Sequence, residues 1–130
     1  MAPRHLLFLC VANSARSQLA EGIARSLAPV GVRVSSAGSE PARIRPEAVT
    51  ALAELGIDAR DQHSKGMDAV DLDAVDAVVT LCAEEACPVF PRAVPRLHWG
   101  LPDPAGHPDG MEAFRRVAAE LQRRLGVLLS

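Results

Sequence analysis

The chain has 130 residues, 48% of them hydrophobic, with 14 basic against 16 acidic side chains. That length gives one domain able to bury a real core, and the near balance of charge leaves no broad field to draw nucleic acid or an anionic membrane. No apolar run approaches the roughly 20 residues that span a bilayer, and three cysteines without an export signal suit redox or catalytic thiols in a reducing cytoplasm better than a disulfide framework.

In chain order, strands alternate with helices, and no repeat, linker or low-complexity tract interrupts them. The stretch from Arg4 through Ala15 mimics a short signal peptide, with a basic start, an apolar centre and small residues at Ala12 and Ala15. We reject that reading, because the apolar centre is only roughly seven or eight residues long and cleavage would destroy the most distinctive motif of the chain. His5 to Cys10 reads instead as a first strand, and C-V-A-N-S-A-R-S follows at 10 to 17, a cysteine and an arginine at a strand-to-helix turn.

Those residue types fit a loop that holds a tetrahedral oxyanion against a thiolate. A free thiol with its ordinary pKa of about 8.5 is mostly protonated at neutral pH, but one at a helix N-terminus beside a cation drops by about one to several units. Cys10 is then a standing nucleophile. The expectation is that Val11, Ala12, Asn13, Ser14 and Ala15 curl so that their backbone N–H groups point inward, where the helix dipole also favours an anion. Arg16 supplies a planar fork for two oxygens. Ser17 can donate to the thiolate, and Asn13 and Ser14 can brace the turn. The competing reading is a buried strand-end cysteine and a solvated helix charge; C-x5-R arises often by chance, and its placement between strand and helix, with Ser17 next, is what favours function.

Ser17 to Leu27 carries apolar residues at 19, 20, 23, 24, 27 and 28, the spacing of one helix face. Val32 to Ser36 is a short strand closed by Ala37-Gly38, and Pro46 to Leu55 is a second helix with Gly56 just past its end. Asp76 to Leu81 reads as a fully buried strand, Arg96 to Trp99 as a short last one, and Met111 to Leu128 as the final helix. Four strands joined by helical crossovers predict a single-domain α/β fold over residues 1–130, a three-layer α/β/α arrangement around a parallel sheet. Ligands in such sheets bind beyond the carboxyl ends of the strands, where Cys10 and Cys82 both fall.

Cys82 ends the buried strand, and Cys87 follows after A-E-E-A, just before Pro88. The two can approach each other if the segment between them is helical or locally unwinds, and can form a reversible disulfide. A zinc half-site and two unrelated small residues are the alternatives; no His or Cys pair at ligand spacing accompanies them, so no metal is expected. His63, His98 and His107 are scattered and read as surface or packing groups. Three thiols at neighbouring strand ends permit a relay in which the first is attacked by the second and the second by the third. In H-W-G-L-P-D-P-A-G at 98 to 106, Asp103 sits between two prolines at the edge that carries Cys10. Near an apolar wall such as Trp99, a carboxyl keeps a raised pKa and can protonate a leaving oxygen; its plain alternative is a turn aspartate.

These segments together resemble the thioredoxin-coupled arsenate reductases that share the low-molecular-weight protein tyrosine phosphatase fold. The resemblance covers nearly the whole chain. It rests on C-V-A-N-S-A-R-S-Q-L-A-E-G at 10 to 22, S-S-A-G at 35 to 38, P-E-A-V-T-A-L-A-E-L-G-I-D at 46 to 58, V-V-T-L-C at 78 to 82 with Cys87-Pro88, and H-W-G-L-P-D-P-A at 98 to 105. It implies that Cys10 attacks arsenate held by the loop amides and Arg16 while Asp103 protonates the departing hydroxyl. Cys82 then attacks Cys10, releasing arsenite; Cys87 attacks Cys82, freeing Cys10; and thioredoxin reduces the Cys82–Cys87 bond. No organic cofactor is implied, and a cytoplasmic monomer is expected.

The chain departs from the family pattern in places. Only four residues separate Cys82 from Cys87, fewer than is usual, and Ala12 and Ala15 stand where Gly and Cys are common. Some members bind potassium beside the loop through residues matching Asn13, Glu21 and Ser36, with an aspartate at the position of Lys65. Lys65 here would put an ammonium where that cation sits, pairing with Glu21 and steadying Asn13. Two other functions compete. A tyrosine phosphatase would use Cys10, Arg16 and Asp103 alone and would want aromatic residues around its pocket; the chain has no Tyr, three Phe and one Trp. An arsenite sensor would ligate the metalloid through three cysteines and would need neither Arg16 nor Asp103.

Overall fold

The computed structural model describes residues 4–83 and 87–130. Four strands, β1 (His5–Cys10), β2 (Arg33–Gly38), β3 (Ala77–Thr80) and β4 (Arg96–His98), form one sheet in the order β2-β1-β3-β4. All three pairings are parallel, with Cys10 opposite Gly38 and Thr80 opposite His98. The helices are α1 (Arg16–Leu27), α2 (Pro46–Glu54) and α3 (Met111–Leu128). Elements fall within a residue or two of the sequence reading. The second helix stops one residue early because Leu55 leaves helical geometry and Gly56 turns with φ +78°.

β1 is one of the two inner strands and all six of its residues are buried, which explains its unbroken apolar run. Its side chains alternate between faces. Leu6, Phe8 and Cys10 join the larger core with Leu19, Ile23, Leu52, Phe114 and Leu121, while Leu7 and Leu9 meet Val75, Val78 and Phe90 on the other side. The two faces are covered unequally. Residues of all three α-helices belong to the first cluster, whereas Met67 and Leu72, in two 3-10 turns at Met67–Ala69 and Leu72–Ala74, cover the second. β3 is buried only at Val78 and Val79, its ends being half-buried, so the sheet thins toward β4, which is exposed throughout.

This topology puts the ends of β1 and β3 side by side, with the loop after β4 next to them. Backbone pairing continues past the strands: Leu81 N donates to Leu9 O (2.9 Å), Trp99 N to Thr80 O (2.8 Å) and Leu101 N to Leu81 O (3.2 Å). Cys10, Cys82 and Asp103 are thereby held at one edge. Gly38 matters here because a Cβ would collide with the Val11 carbonyl; the missing side chain lets the β1–α1 loop cross the end of β2.

Candidate active site

Residues 11–15 form a cup whose shape follows from where its carbonyls go. Val11 O accepts from Glu40 N (2.9 Å), Ala12 O from Ala42 N (3.2 Å) and Ser64 Oγ (2.9 Å), Asn13 O from Gln18 Nε2 (3.1 Å), and Ser14 O from Arg45 N (2.8 Å). Donors outside the cup thus draw each carbonyl outward. In a planar trans peptide the N–H points opposite to the C=O, so the loop's amides turn toward the pocket. Asn13 completes the turn at φ +50°, a left-handed conformation that asparagine tolerates. Among the described residues no side chain caps α1, and its first turn holds no acidic residue, so the positive end of the helix dipole faces the cup.

The cavity so enclosed has a volume of about 180 Å³ and is lined by Cys10, Val11, Ala12, Ser14, Ala15, Arg16 and Asp103. It is smaller than the roughly 300 Å³ at which drug-sized pockets begin, and it suits a small anion. A larger apolar groove of about 370 Å³ lies between β3, β4 and Leu128 at the other end of the sheet. Its polar members are already engaged: Asp76 accepts from the N–H groups of Arg4 and His5, and Arg96 donates to Phe90 O and Arg92 O. The chemistry belongs to the smaller cavity.

Cys10 is the free cysteine of the described residues and is buried at the cup floor. Its Sγ lies 2.8 Å from Ser17 Oγ, which also receives Asn13 Nδ2 at 2.7 Å. Arg16, 4% exposed, spans the site: Nη1 donates to Leu81 O (3.3 Å) and Leu101 O (3.0 Å), while Nη2 stands 3.8 Å from Asp103 Oδ2. The residue expected to grip the anion therefore also ties the cup to the strand end before Cys82 and to the loop of Asp103. Asp103 Oδ1 accepts Ala105 N–H at 2.9 Å. Trp99 packs against the helix-side core with Arg124 5.7 Å over its ring, and Leu101 is buried between the two positions.

Cys82 and Cys87 are joined by a disulfide, with their Cα atoms 5.5 Å apart. Cys82 is buried and Cys87 half-buried, and Cys82 N donates to Cys87 Sγ at 3.3 Å. Residues 84–86, part of the segment expected to be helical or to unwind, lie outside the described residues. Of the histidines, His63, His98 and His107 are exposed, and His98 Nδ1 lies 2.6 Å from Thr80 Oγ1.

Beneath the cup, Ser36 Oγ receives Asn13 Nδ2 (2.9 Å) and donates to Glu21 Oε1 (2.7 Å), which Lys65 Nζ approaches to 3.3 Å. Lys65 N donates to Asn13 Oδ1 at 2.9 Å. Asn13, Glu21, Ser36 and Lys65 thus form one cluster. Sequence reasoning missed other supports: Gln18 and Gln62, both buried, and residues 40–45, whose backbone forms the outer wall of the cup. A polar Gln18 beside Leu19 and Ala20 on the apolar-periodic helix is the one sequence signal for such a role.

A family model described as "Low molecular weight phosphotyrosine protein phosphatase" matches residues 5–130. An arsenate reductase of Brevibacillus brevis is 42% identical over 122 residues, covering 92% of this chain and 90% of the relative. Among solved structures, an arsenate reductase from Archaeoglobus fulgidus superposes with a TM-score of 0.85 at 35% identity, over 95% of this chain and 98% of that one. A thioredoxin-dependent arsenate reductase of Corynebacterium glutamicum gives a TM-score of 0.74 at 31% identity, over 98% of this chain and 60% of that one.

Proposed function

The chain belongs to the low molecular weight phosphotyrosine protein phosphatase family and is an arsenate reductase within it; we propose that Cys10, Cys82 and Cys87, in that order, carry its electrons from thioredoxin to arsenate. The observation that carries this reading is the Cys82–Cys87 disulfide at a strand end tied through Arg16 to the oxyanion cup. Ester hydrolysis needs the cup but not that pair.

In the proposed sequence, the Cys10 thiolate attacks arsenic and Asp103 gives a proton to the departing hydroxyl. The loop amides of residues 11–16 and Arg16 stabilise the charged oxygens. Cys82 attacks Cys10 Sγ; the sulfur–arsenic bond breaks, its electron pair goes to arsenic, and arsenite leaves. Cys87 then attacks Cys82, restoring the Cys10 thiol, and a thioredoxin dithiol reduces the Cys82–Cys87 bond while becoming a disulfide itself. The structure has the thiol arrangement of the stage just before that last step. All three thiols lie in one chain, so residues 1–130 serve as one catalytic domain acting as a monomer, in the reducing cytoplasm that the relay requires. Lys65, paired with Glu21 and bonded through its backbone to Asn13, supplies the positive charge that supports the cup in place of potassium.

The test is arsenate-dependent NADPH oxidation with thioredoxin and thioredoxin reductase, omitting each component in turn. Sustained consumption that needs every component supports the relay. Absence of consumption with fully reduced thiols would overturn it and point to a different thiol donor, or to phosphate-ester hydrolysis as a further activity of the cup.

A further inference from the structure

Gln62 is not part of the cavity lining, yet an unbroken line of hydrogen bonds joins it to the Cys10 sulfur. Gln62 Nε2 donates to Gln18 Oε1 (2.8 Å), Gln18 Nε2 to Asn13 Oδ1 (3.0 Å), and Asn13 Nδ2 to Ser17 Oγ (2.7 Å), which lies 2.8 Å from Cys10 Sγ. Obligate partners fix the direction of every amide link. Gln18 Nε2 also faces the backbone carbonyls of Asn13 (3.1 Å) and His63 (2.9 Å), which can only accept, so its Oε1 must face Gln62. Gln62 Nε2 likewise faces Gln18 O at 3.0 Å. Asn13 Oδ1 takes the Lys65 N–H at 2.9 Å, which can only donate, so the Asn13 amino group must point at Ser17.

Ser17 Oγ thus accepts from Asn13, which leaves its hydroxyl proton free to point at the sulfur. We propose that Gln62 and Gln18 are positioning residues that fix the donor polarity of Ser17 toward the Cys10 thiolate, and so set how readily Cys10 reacts at neutral pH. Aligned amides polarise one another in a low-dielectric interior, which strengthens the terminal bond. Gly22 makes room for the device: a Cβ there would stand 2.9 Å from Gln62 Oε1 and from both Leu52 methyl carbons. The proposal rests on the reading of Cys10 as the attacking thiol.

With the Cys82–Cys87 bond intact, Cys10 is the free thiol, so its alkylation by iodoacetamide reads this sulfur without arsenate or thioredoxin. Gln62→Met keeps the length of the side chain and removes the donor. We expect alkylation about threefold slower at pH 7 and unchanged at pH 10, above the ordinary thiol pKa of about 8.5, where a donor to the sulfur no longer governs the rate. In a Ser17→Ala background the same substitution is expected to change nothing further, because the route to the sulfur is already cut. Gln62→Leu replaces it if circular dichroism shows that the methionine variant does not fold. An unchanged rate at pH 7, an equal loss at both pH values, or an equal loss without Ser17 would overturn the proposal. Because arsenate takes no part, the outcome is separate from that of the reductase assay.

Discussion

The two thiol sites at the carboxyl edge of the sheet are built on opposite principles. Around Cys10, four successive loop carbonyls are held by donors from residues 18, 40, 42, 45 and 64, and a buried polar cluster fixes Asn13 and Ser17. Cys82 and Cys87 follow β3 and are joined to each other five positions apart, the first buried and the second half-buried. The difference matches their tasks. A site that stabilises developing charge works best when its dipoles are fixed beforehand, whereas the proposed relay, in which Cys82 bonds first to Cys10 and then to Cys87, needs a support that can rearrange.

Substitutions should divide along that line. Cys10→Ser is expected to abolish both arsenate reduction and phosphate-ester hydrolysis, since both need the thiolate; retained hydrolysis would place the nucleophile elsewhere. Cys87→Ser should halt reduction after one arsenite per protein in a single-turnover assay, while hydrolysis of a chromogenic phosphate ester continues. Continued cycling with thioredoxin would remove Cys87 from the relay. Asp103→Asn is expected to lower kcat by about 10²-fold, measured by NADPH oxidation at saturating arsenate.

Smaller effects sharpen the contrast. With Lys65 supplying the cation, arsenate KM should be the same in potassium and sodium salts of equal ionic strength; a clear difference would dismiss that role. Lys65→Met should cost about 1–2 kcal/mol in urea unfolding, because Glu21 keeps Ser36 and Arg25 as partners. The smallest expected effect lies at the opposite end of β1. His5 is buried, with Nε2 2.7 Å from Ser35 Oγ and Nδ1 lacking a hydrogen-bond partner among the described residues. Burial first, then nearby Arg33, lowers its pKa below the ordinary 6.5. The unfolded chain therefore takes up the proton first, so His5 favours the fold above about pH 6.5 and loses that contribution as pH falls through its folded value. A thermal midpoint that declines between roughly pH 6.5 and 5 in the parent, and less steeply in His5→Phe, is the expected result; parallel curves would assign the decline to other groups.

Period and punctuation in the sequence determined much of this protein. The apolar run of β1, the 3.6-residue spacing of α1 and α3, Pro46 and Gly56 around α2, and the C-x5-R-S motif are local signals, and local backbone sterics and burial decide them. They located the four strands and three α-helices of the described residues, and the sheet edge that carries Cys10, Cys82 and Asp103. Tertiary structure alone decided what holds that edge together. Ala42 and Arg45 meet the cup through backbone N–H groups, which every residue but proline carries, so no side chain advertises the contact. Arg16 binds the carbonyls of Leu81 and Leu101, 65 and 85 positions away, and Gln62 reaches Gln18 across 44. Periodicity records which way a side chain faces; its hydrogen-bonding partners depend on which distant segments the sheet order brings alongside, and that order is a property of the folded chain.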